Sequence, residues 1–176
     1  TGVPIHANGY FELSANRRDI WYGTDMVGAG KLRSEWNRAL LCDVVAPSYV
    51  QLLLYARGLL EDRIDFFYEL WPQQRPAPPW DSLVTTVYQL LLQHPLLRCE
   101  LPGSEWVSAT VALFPEGGEC DLPSALHAML VRSGLPLVRG VPSGVRDLLR
   151  TAADAAGVEL RFASAARLVG LRLAGR

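Results

Sequence analysis

A short run of polar and aromatic residues near the start of the chain has the greatest potential for chemistry. It reads NRRDIW over residues 16–21, with two adjacent arginines between an amide and a carboxylate. A guanidinium group carries five donors in a fixed plane, so it can bind a carboxylate or a phosphate through two parallel hydrogen bonds. The same residues can instead form a structural junction, with the aspartate paired to an arginine and the tryptophan packed under the first helix. The candidates are the arginines Arg17 and Arg18 and their supports Asn16, Asp19 and Trp21.

No other part of the sequence provides a complete active site or metal site. Residues 27–32 resemble a phosphate-binding loop, but that motif requires a glycine where Asp25 stands and a serine or threonine where Leu32 stands. Ser104 lacks the second glycine of a nucleophile elbow. The sequence has three histidines, His6, His94 and His127, and none has a second metal ligand within the next two to four residues, so a metal site is not expected. We therefore expect no enzyme activity, no metal and no cofactor within this segment.

The overall composition restricts the class of protein. The chain has 176 residues, of which 49% are hydrophobic and 20% charged, and its net charge is −1. A chain of this size folds without disulfides, and its balanced charge predicts no nucleic-acid partner. We expect no membrane partner, because neither leucine run, at 52–54 or at 90–92, belongs to an apolar stretch of about 18 residues. Three widely spaced cysteines suit a reducing compartment, which predicts a cytoplasmic protein.

Hydrophobic periodicity predicts the elements that position the arginine run. Alternating apolar residues over 5–13 predict an N-terminal strand. A four-residue repeat from Leu32 to Val44 predicts a helix, after which Pro47 either kinks this helix or starts the next one. Further amphipathic helices are predicted within residues 49–58, 61–71 and 81–94. The first half of the chain is therefore a strand followed by several amphipathic helices.

The second half of the chain predicts a hairpin and then a βαβ unit. Two β-like runs, at 96–100 and 106–114, are separated by a Leu-Pro-Gly-Ser-Glu turn, which predicts a central hairpin. A strand at 135–138, a helix at 145–156 and a strand at 158–162 predict a right-handed parallel crossover.

These elements together predict a mixed α+β fold. Ser164 can cap a final helix over residues 165–173. We expect one subdomain over residues 1–115 and a smaller α/β subdomain over residues 116–176, packed on the first. Because the chain starts at Thr1 within a strand-like pattern, we expect it to be a piece of a longer polypeptide.

Four segments of the chain, in this order, resemble the sacsin family: GYFELSANRRDIWYG, KLRSEWNRALLCDVVAPSYVQLL, FFYELWP and PLLRCELPGSEWVSATVALFP. The resemblance covers about residues 1–115 and extends more loosely to 142–150. In that family the repeating unit starts with an ATPase domain related to the ninety-kilodalton heat-shock chaperone, and a segment similar to this chain follows it.

The resemblance implies a non-catalytic middle segment of a chaperone or co-chaperone, with ATP and Mg²⁺ bound in the preceding domain. In this ATPase superfamily a basic residue of the following domain commonly reaches the γ-phosphate, and Arg17 and Arg18 are the candidates by position. The implied partners are that ATPase domain and client or chaperone proteins, with Trp36, Tyr68 and Trp71 as candidates for contact. The alternative is an architectural spacer without coupling to nucleotide.

Overall fold

The longest element of the protein is one continuous helix over residues 29–59. The computed structural model describes residues 2–23, 28–101, 104–116 and 123–163. The long helix consists of α1 (Ala29–Ala39), a π-helical turn (Leu40–Val45) and α2 (Ala46–Leu59). At the end of the π turn, the N–H of Ala46 donates to the carbonyl of Leu41, five residues earlier. The wider turn accommodates Pro47, so the helix continues through the proline.

The long helix is unusually apolar for its length. An 18-residue window within residues 29–59 has a mean hydropathy of 1.5, so by length and composition alone it could cross a membrane. The expectation that no apolar stretch of about 18 residues occurs is therefore wrong for this helix, whose apolar residues extend well beyond the leucine run at 52–54. A core helix of a water-soluble protein passes the same test, and here Leu41, Tyr49 and Leu53 are buried in the domain's own core.

Four shorter helices follow in the described part of the chain. They are α3 (Ile64–Glu69), α4 (Trp80–Leu91), α5 (Ser124–Arg132) and α6 (Ser143–Ala156). Helix α4 packs against both the long helix and α6. Aromatic side chains fill much of the core, and the rings of Phe67 and Trp71 meet edge to face with centroids 5.9 Å apart. The hydroxyls of Tyr49 and Tyr88 donate to backbone carbonyls, and burial raises the pKa of both phenols.

The strands are short and form two ladders. The predicted central hairpin is confirmed by β1 (Leu97–Leu101) and β2 (Ser104–Val107), which pair antiparallel. The predicted second strand over 106–114 is too long, because the chain leaves the hairpin after Val107 and turns at residues 109–111. A second ladder joins β3 (Leu113–Pro115) to β4 (Arg161–Ala163) in parallel. Residues 137–138 connect the ladders through isolated bridges, so the strand predicted at 135–138 is reduced to two residues. Because β3 lies between this segment and β4, the crossover through α6 passes over one strand instead of joining neighbours.

The mixed α+β class is confirmed, while the predicted N-terminal strand is wrong. Residues 5–13 make a single bridge, from Leu13 to Ile20, because side chains of α1 occupy backbone groups that a sheet would otherwise use. The main core includes residues on both sides of position 115, and the division into two subdomains stays a prediction. The helix predicted over 165–173 lies outside the described residues.

Candidate functional site

The NRRDIW run forms the turn of a two-stranded arm. Leu13 and Ile20 pair in an antiparallel bridge, and the N–H of Trp21 donates to the carbonyl of Glu12 at 2.6 Å. We call residues 10–22 the hairpin arm. Its turn falls on the two arginines, which places them at the point of the arm farthest from the paired residues.

Polar side chains shape the tip of the arm. The Ser14 hydroxyl donates to Oδ1 of Asn16 at 2.6 Å, and the same oxygen accepts the N–H of Arg18 at 3.0 Å. Arg17 adopts a φ of 56°, the left-handed region, which costs a residue with a Cβ atom about 1–2 kcal/mol. Asn16 therefore supports the motif as predicted, and the turn holds an arginine in a conformation that favours glycine.

The two arginine side chains have no polar partner in the described part of the chain. Both residues are exposed, and neither side chain makes a hydrogen bond or ion pair with any residue in the described ranges. The predicted structural pairing of Asp19 with an arginine is accordingly not observed in this part of the chain. Arg18 also lines an open cleft of about 590 Å³, whose opposite wall is residues 76–80. The tip therefore presents guanidinium donors that the described residues do not use.

The side chain of Asn37 fixes the base of the arm to helix α1. Asn37 is 1% exposed, and its Oδ1 accepts the N–H of Glu12 at 2.8 Å. Its Nδ2 donates to the carbonyl of Glu12 at 2.8 Å and to the carbonyl of Trp21 at 2.9 Å. One amide thus satisfies backbone groups on both strands of the arm, which is why these strands need so little sheet pairing.

Neighbouring residues of α1 extend this attachment along the arm. The indole N–H of Trp36 donates to the carbonyl of Tyr10 at 2.8 Å, and the Ser34 hydroxyl donates to the carbonyl of Gly23 at 3.1 Å. The guanidinium of Arg33 lies 5.5 Å from the ring centroid of Trp21, so that Trp21 packs against this helix as expected. Sequence reasoning missed Ser34 and Asn37, whose only signal was two polar residues between the apolar positions of a helix.

A polar cleft of about 660 Å³ lies between the arm, α1 and α4. Four of its charged groups pair along the wall, Lys31 with Glu35 at 3.6 Å and Arg75 with Asp81 at 3.3 Å. The hydroxyl of Thr85 donates to a carbonyl of its own helix. Arg38 also lines the cleft, which is therefore an open polar surface with one net positive charge. Within the ranges that the structure describes, no three His, Cys, Asp or Glu side chains form a group that could hold a metal.

The structure separates the three aromatic residues that were predicted to contact partners. Tyr68 and Trp71 are each 1% exposed and belong to the core, so a partner of the folded domain cannot reach them. Their periodic spacing served core packing, with ring centroids 5.6 Å apart. Trp36 is 50% exposed and stays a candidate for contact.

Comparison with known proteins gives one partial relationship. Human sacsin is 44% identical to this chain over 54 residues, which is 31% of the chain and 1% of the length of human sacsin. No family model matches the chain, and no solved structure matches it. The chain therefore contains a segment related to sacsin and spans a very small part of that relative's length.

Proposed function

We propose that this chain is a non-catalytic segment of a sacsin-like, chaperone-associated cytoplasmic protein and that its hairpin arm serves a neighbouring ATP-binding domain. Arg17 and Arg18 then reach the γ-phosphate of a nucleotide bound in that domain with Mg²⁺. A guanidinium at this position stabilises the charge that develops on the transferred phosphoryl group. The partial identity with human sacsin and the resemblance described above support the family part of the proposal.

The geometry of the arginine turn is the observation that carries the proposal. Residues held in sparsely populated backbone conformations persist where the surrounding structure imposes them, and they are concentrated at functional sites. Arg17 has a φ of 56° and gains no interaction for its side chain within the described part of the chain. A glycine would satisfy the turn without strain. An arginine at this position is explained if its guanidinium binds something outside this segment.

The attachment of the arm to α1 supports the same role. Electrostatic stabilisation of a transition state requires donors that are positioned before the reaction. Asn37 binds both strands of the arm, and Trp36 binds the backbone of Tyr10, so the arm is held to the longest helix of the domain. This arrangement fixes where the turn emerges, while the exposed tip stays available to a neighbouring domain.

The proposal is tested by ATP hydrolysis in a protein that contains both the ATP-binding domain and this segment. We expect Arg17→Ala or Arg18→Ala to lower kcat at least about a hundredfold, since a trans-acting arginine contributes about 10³–10⁵ in related phosphoryl-transfer enzymes. Arg132→Ala is the matched control, because Arg132 is an exposed arginine at the end of α5. Unchanged hydrolysis in both arm variants would refute the catalytic role and favour the architectural spacer.

A second variant separates function from stability. Arg17→Gly removes the guanidinium and also relieves the left-handed backbone, so it should stabilise the fold by about 1 kcal/mol while abolishing the contribution to hydrolysis. For a domain of this size the melting temperature should rise by about 2–4 °C. A falling melting temperature in this variant would mean that the Arg17 side chain has a structural role.

A further inference from the structure

The outer face of the long helix carries a row of exposed apolar side chains, with the polar Ser48 near its centre. Their exposed fractions lie between 44% and 69%, although a helix on a protein surface normally turns charged residues outward. A contiguous exposed apolar surface of this kind marks an interaction site. We call this row the seam; its exposed members are Leu32, Trp36, Val44, Leu52, Tyr55 and Leu59.

The π turn is what places both halves of the seam on one side of the helix. In an uninterrupted α-helix each residue rotates by about 100°, so Leu32 and Tyr55 would lie about 140° apart around the axis. The π turn at Leu40–Val45 accommodates about one extra residue, which removes about 100° of that difference. Tyr55 therefore lies about 40° from Leu32, while Leu59 and Leu52 lie about 80° and about 100° from it, so the exposed members occupy roughly 100° of the helix circumference.

The order of side chains along the seam is nearly the same in both directions. Reading inward from the two ends, Leu32 corresponds to Leu59 and Trp36 to Tyr55. The next corresponding pairs are Leu40 with Leu52 and Val44 with Ser48. An antiparallel pair of identical helices would bring these residues opposite each other, leucine on leucine and aromatic on aromatic, with the smallest pair at the centre. Such self-complementarity is what a two-fold symmetric interface requires, because the same surface serves both copies.

We infer that the seam is the interface of a symmetric dimer, in which a second copy of this chain packs its long helix antiparallel to the first. Charges at the two ends agree with this orientation. Over residues 31–38 the net charge is +2, from Lys31, Arg33, Glu35 and Arg38. Over residues 57–65 it is −1, from Arg57, Glu61, Asp62, Arg63 and Asp65. Antiparallel packing brings the opposite signs together, whereas parallel packing brings like signs together.

The size of the seam predicts a weak dimer. From Leu32 to Leu59 the helix rises about 40 Å, and a helix is about 10 Å wide, which gives roughly 400 Å² for each copy. The total of roughly 800 Å² lies below that of stable complexes. We therefore expect a dissociation constant in the micromolar range and a mixture of monomer and dimer at ordinary laboratory concentrations.

Sedimentation equilibrium between about 1 and about 100 μM tests the inference on the intact chain. The mass should rise towards twice 19.4 kDa with concentration. Tyr55→Glu and Leu59→Glu should raise the dissociation constant at least tenfold, and both positions are exposed enough to tolerate the change. Val111→Glu is the control, because Val111 is 49% exposed but lies outside the seam. A monomer throughout the range overturns the inference, as does equal weakening by the control.

Oxidative cross-linking tests the antiparallel orientation. With Cys42 and Cys120 replaced by serine, the double variant Leu32→Cys/Leu59→Cys should form a covalent dimer on mild oxidation. Each single variant should cross-link at least tenfold more slowly, because antiparallel packing separates like positions by the length of the seam. Faster cross-linking of the single variants would overturn the antiparallel arrangement. Binding of the monomer to phosphatidylcholine–phosphatidylserine vesicles, without self-association, would overturn the dimer in favour of a membrane surface.

Discussion

Replacing Asn37 should release the hairpin arm from the body of the domain. The Asn37 side chain is buried and makes three hydrogen bonds, of 2.8, 2.8 and 2.9 Å, to the backbone of Glu12 and Trp21. Asn37→Ala removes all three at once. The N–H of Glu12 then loses its acceptor, whereas the carbonyl of Glu12 keeps the N–H of Trp21 as a donor. The remaining bonds between α1 and this part of the chain come from Trp36 and Ser34, and the arm's strands share a single bridge from Leu13 to Ile20.

The expected cost follows from the number of bonds. A hydrogen bond contributes about 1 kcal/mol net, so three bonds contribute about 3 kcal/mol to docking of the arm. A difference of 1.4 kcal/mol is a factor of ten, so the population of the undocked arm should rise about a hundredfold. Asn37→Asp should cost more than alanine does, because a carboxylate cannot donate to the two carbonyls and its charge would be buried among them.

Amide hydrogen exchange measures this docking free energy directly. The N–H of Glu12, which donates to Asn37 Oδ1, should exchange about a hundredfold faster in Asn37→Ala, while amides in the buried part of α4 keep their rates. Asn16→Ala is the matched control, since Asn16 is exposed and bonds only within the turn. If Asn37→Ala accelerates exchange in the arm less than threefold, its amide does not hold the arm and the proposed positioning of Arg17 fails with it.

Two further predictions concern the core. Burial raises the pKa of Tyr49, so the folded state keeps this phenol protonated while the unfolded state ionises above about pH 10; stability should be constant below that pH and fall above it. Urea unfolding at increasing alkaline pH should show that Tyr49→Phe loses less free energy of unfolding than the unaltered protein does. Tyr55→Phe, on the exposed face of α2, should lose as much as the unaltered protein. Gly144→Ala should destabilise the fold by about 1–3 kcal/mol, because its Cβ would lie 2.1 Å from the carbonyl oxygen of Gln73. Gly58→Ala, where a Cβ meets nothing within 4 Å, should stabilise the fold by about 0.5 kcal/mol. Thermal unfolding of the two variants measures the difference. Equal melting temperatures would contradict the close approach of Gly144 to Gln73.

The helices and the central hairpin could be predicted from the sequence because their signals are local. The four-residue repeat from Leu32 and the helical pattern over residues 145–156 depend on residues within a few turns, and the structure has helices at both places. The partner of β4 could not be predicted in this way. Residues 161–163 pair with 113–115, almost fifty positions earlier, and the choice depends on how the intervening helices pack. The alternation over residues 5–13 did not lead to a strand, because the backbone there bonds to side chains of α1.

The arginine turn was identified from the sequence, but the residue that attaches the arm to helix α1 was not. Arg17, Arg18 and Asn16 stand in a dense polar run, which residue types alone make visible. Asn37 lies more than fifteen positions away, and its role depends on a buried contact with backbone atoms. Backbone groups carry no sequence signature, so a side chain that binds them at a distance cannot be recognised from one sequence.

Trp36 connects the arm and the seam physically. Its indole N–H donates to the carbonyl of Tyr10 in the arm, while half of its surface lies exposed in the seam. A partner helix packed on the seam would bury this ring and restrict its rotation, which would hold the hydrogen bond and the first strand of the arm more firmly. In the inferred dimer, occupation of the seam and docking of the arm would therefore favour each other, since each pre-orders the residue that the other uses. The position of the two arginines would then depend on the seam as well as on the attachment of the arm.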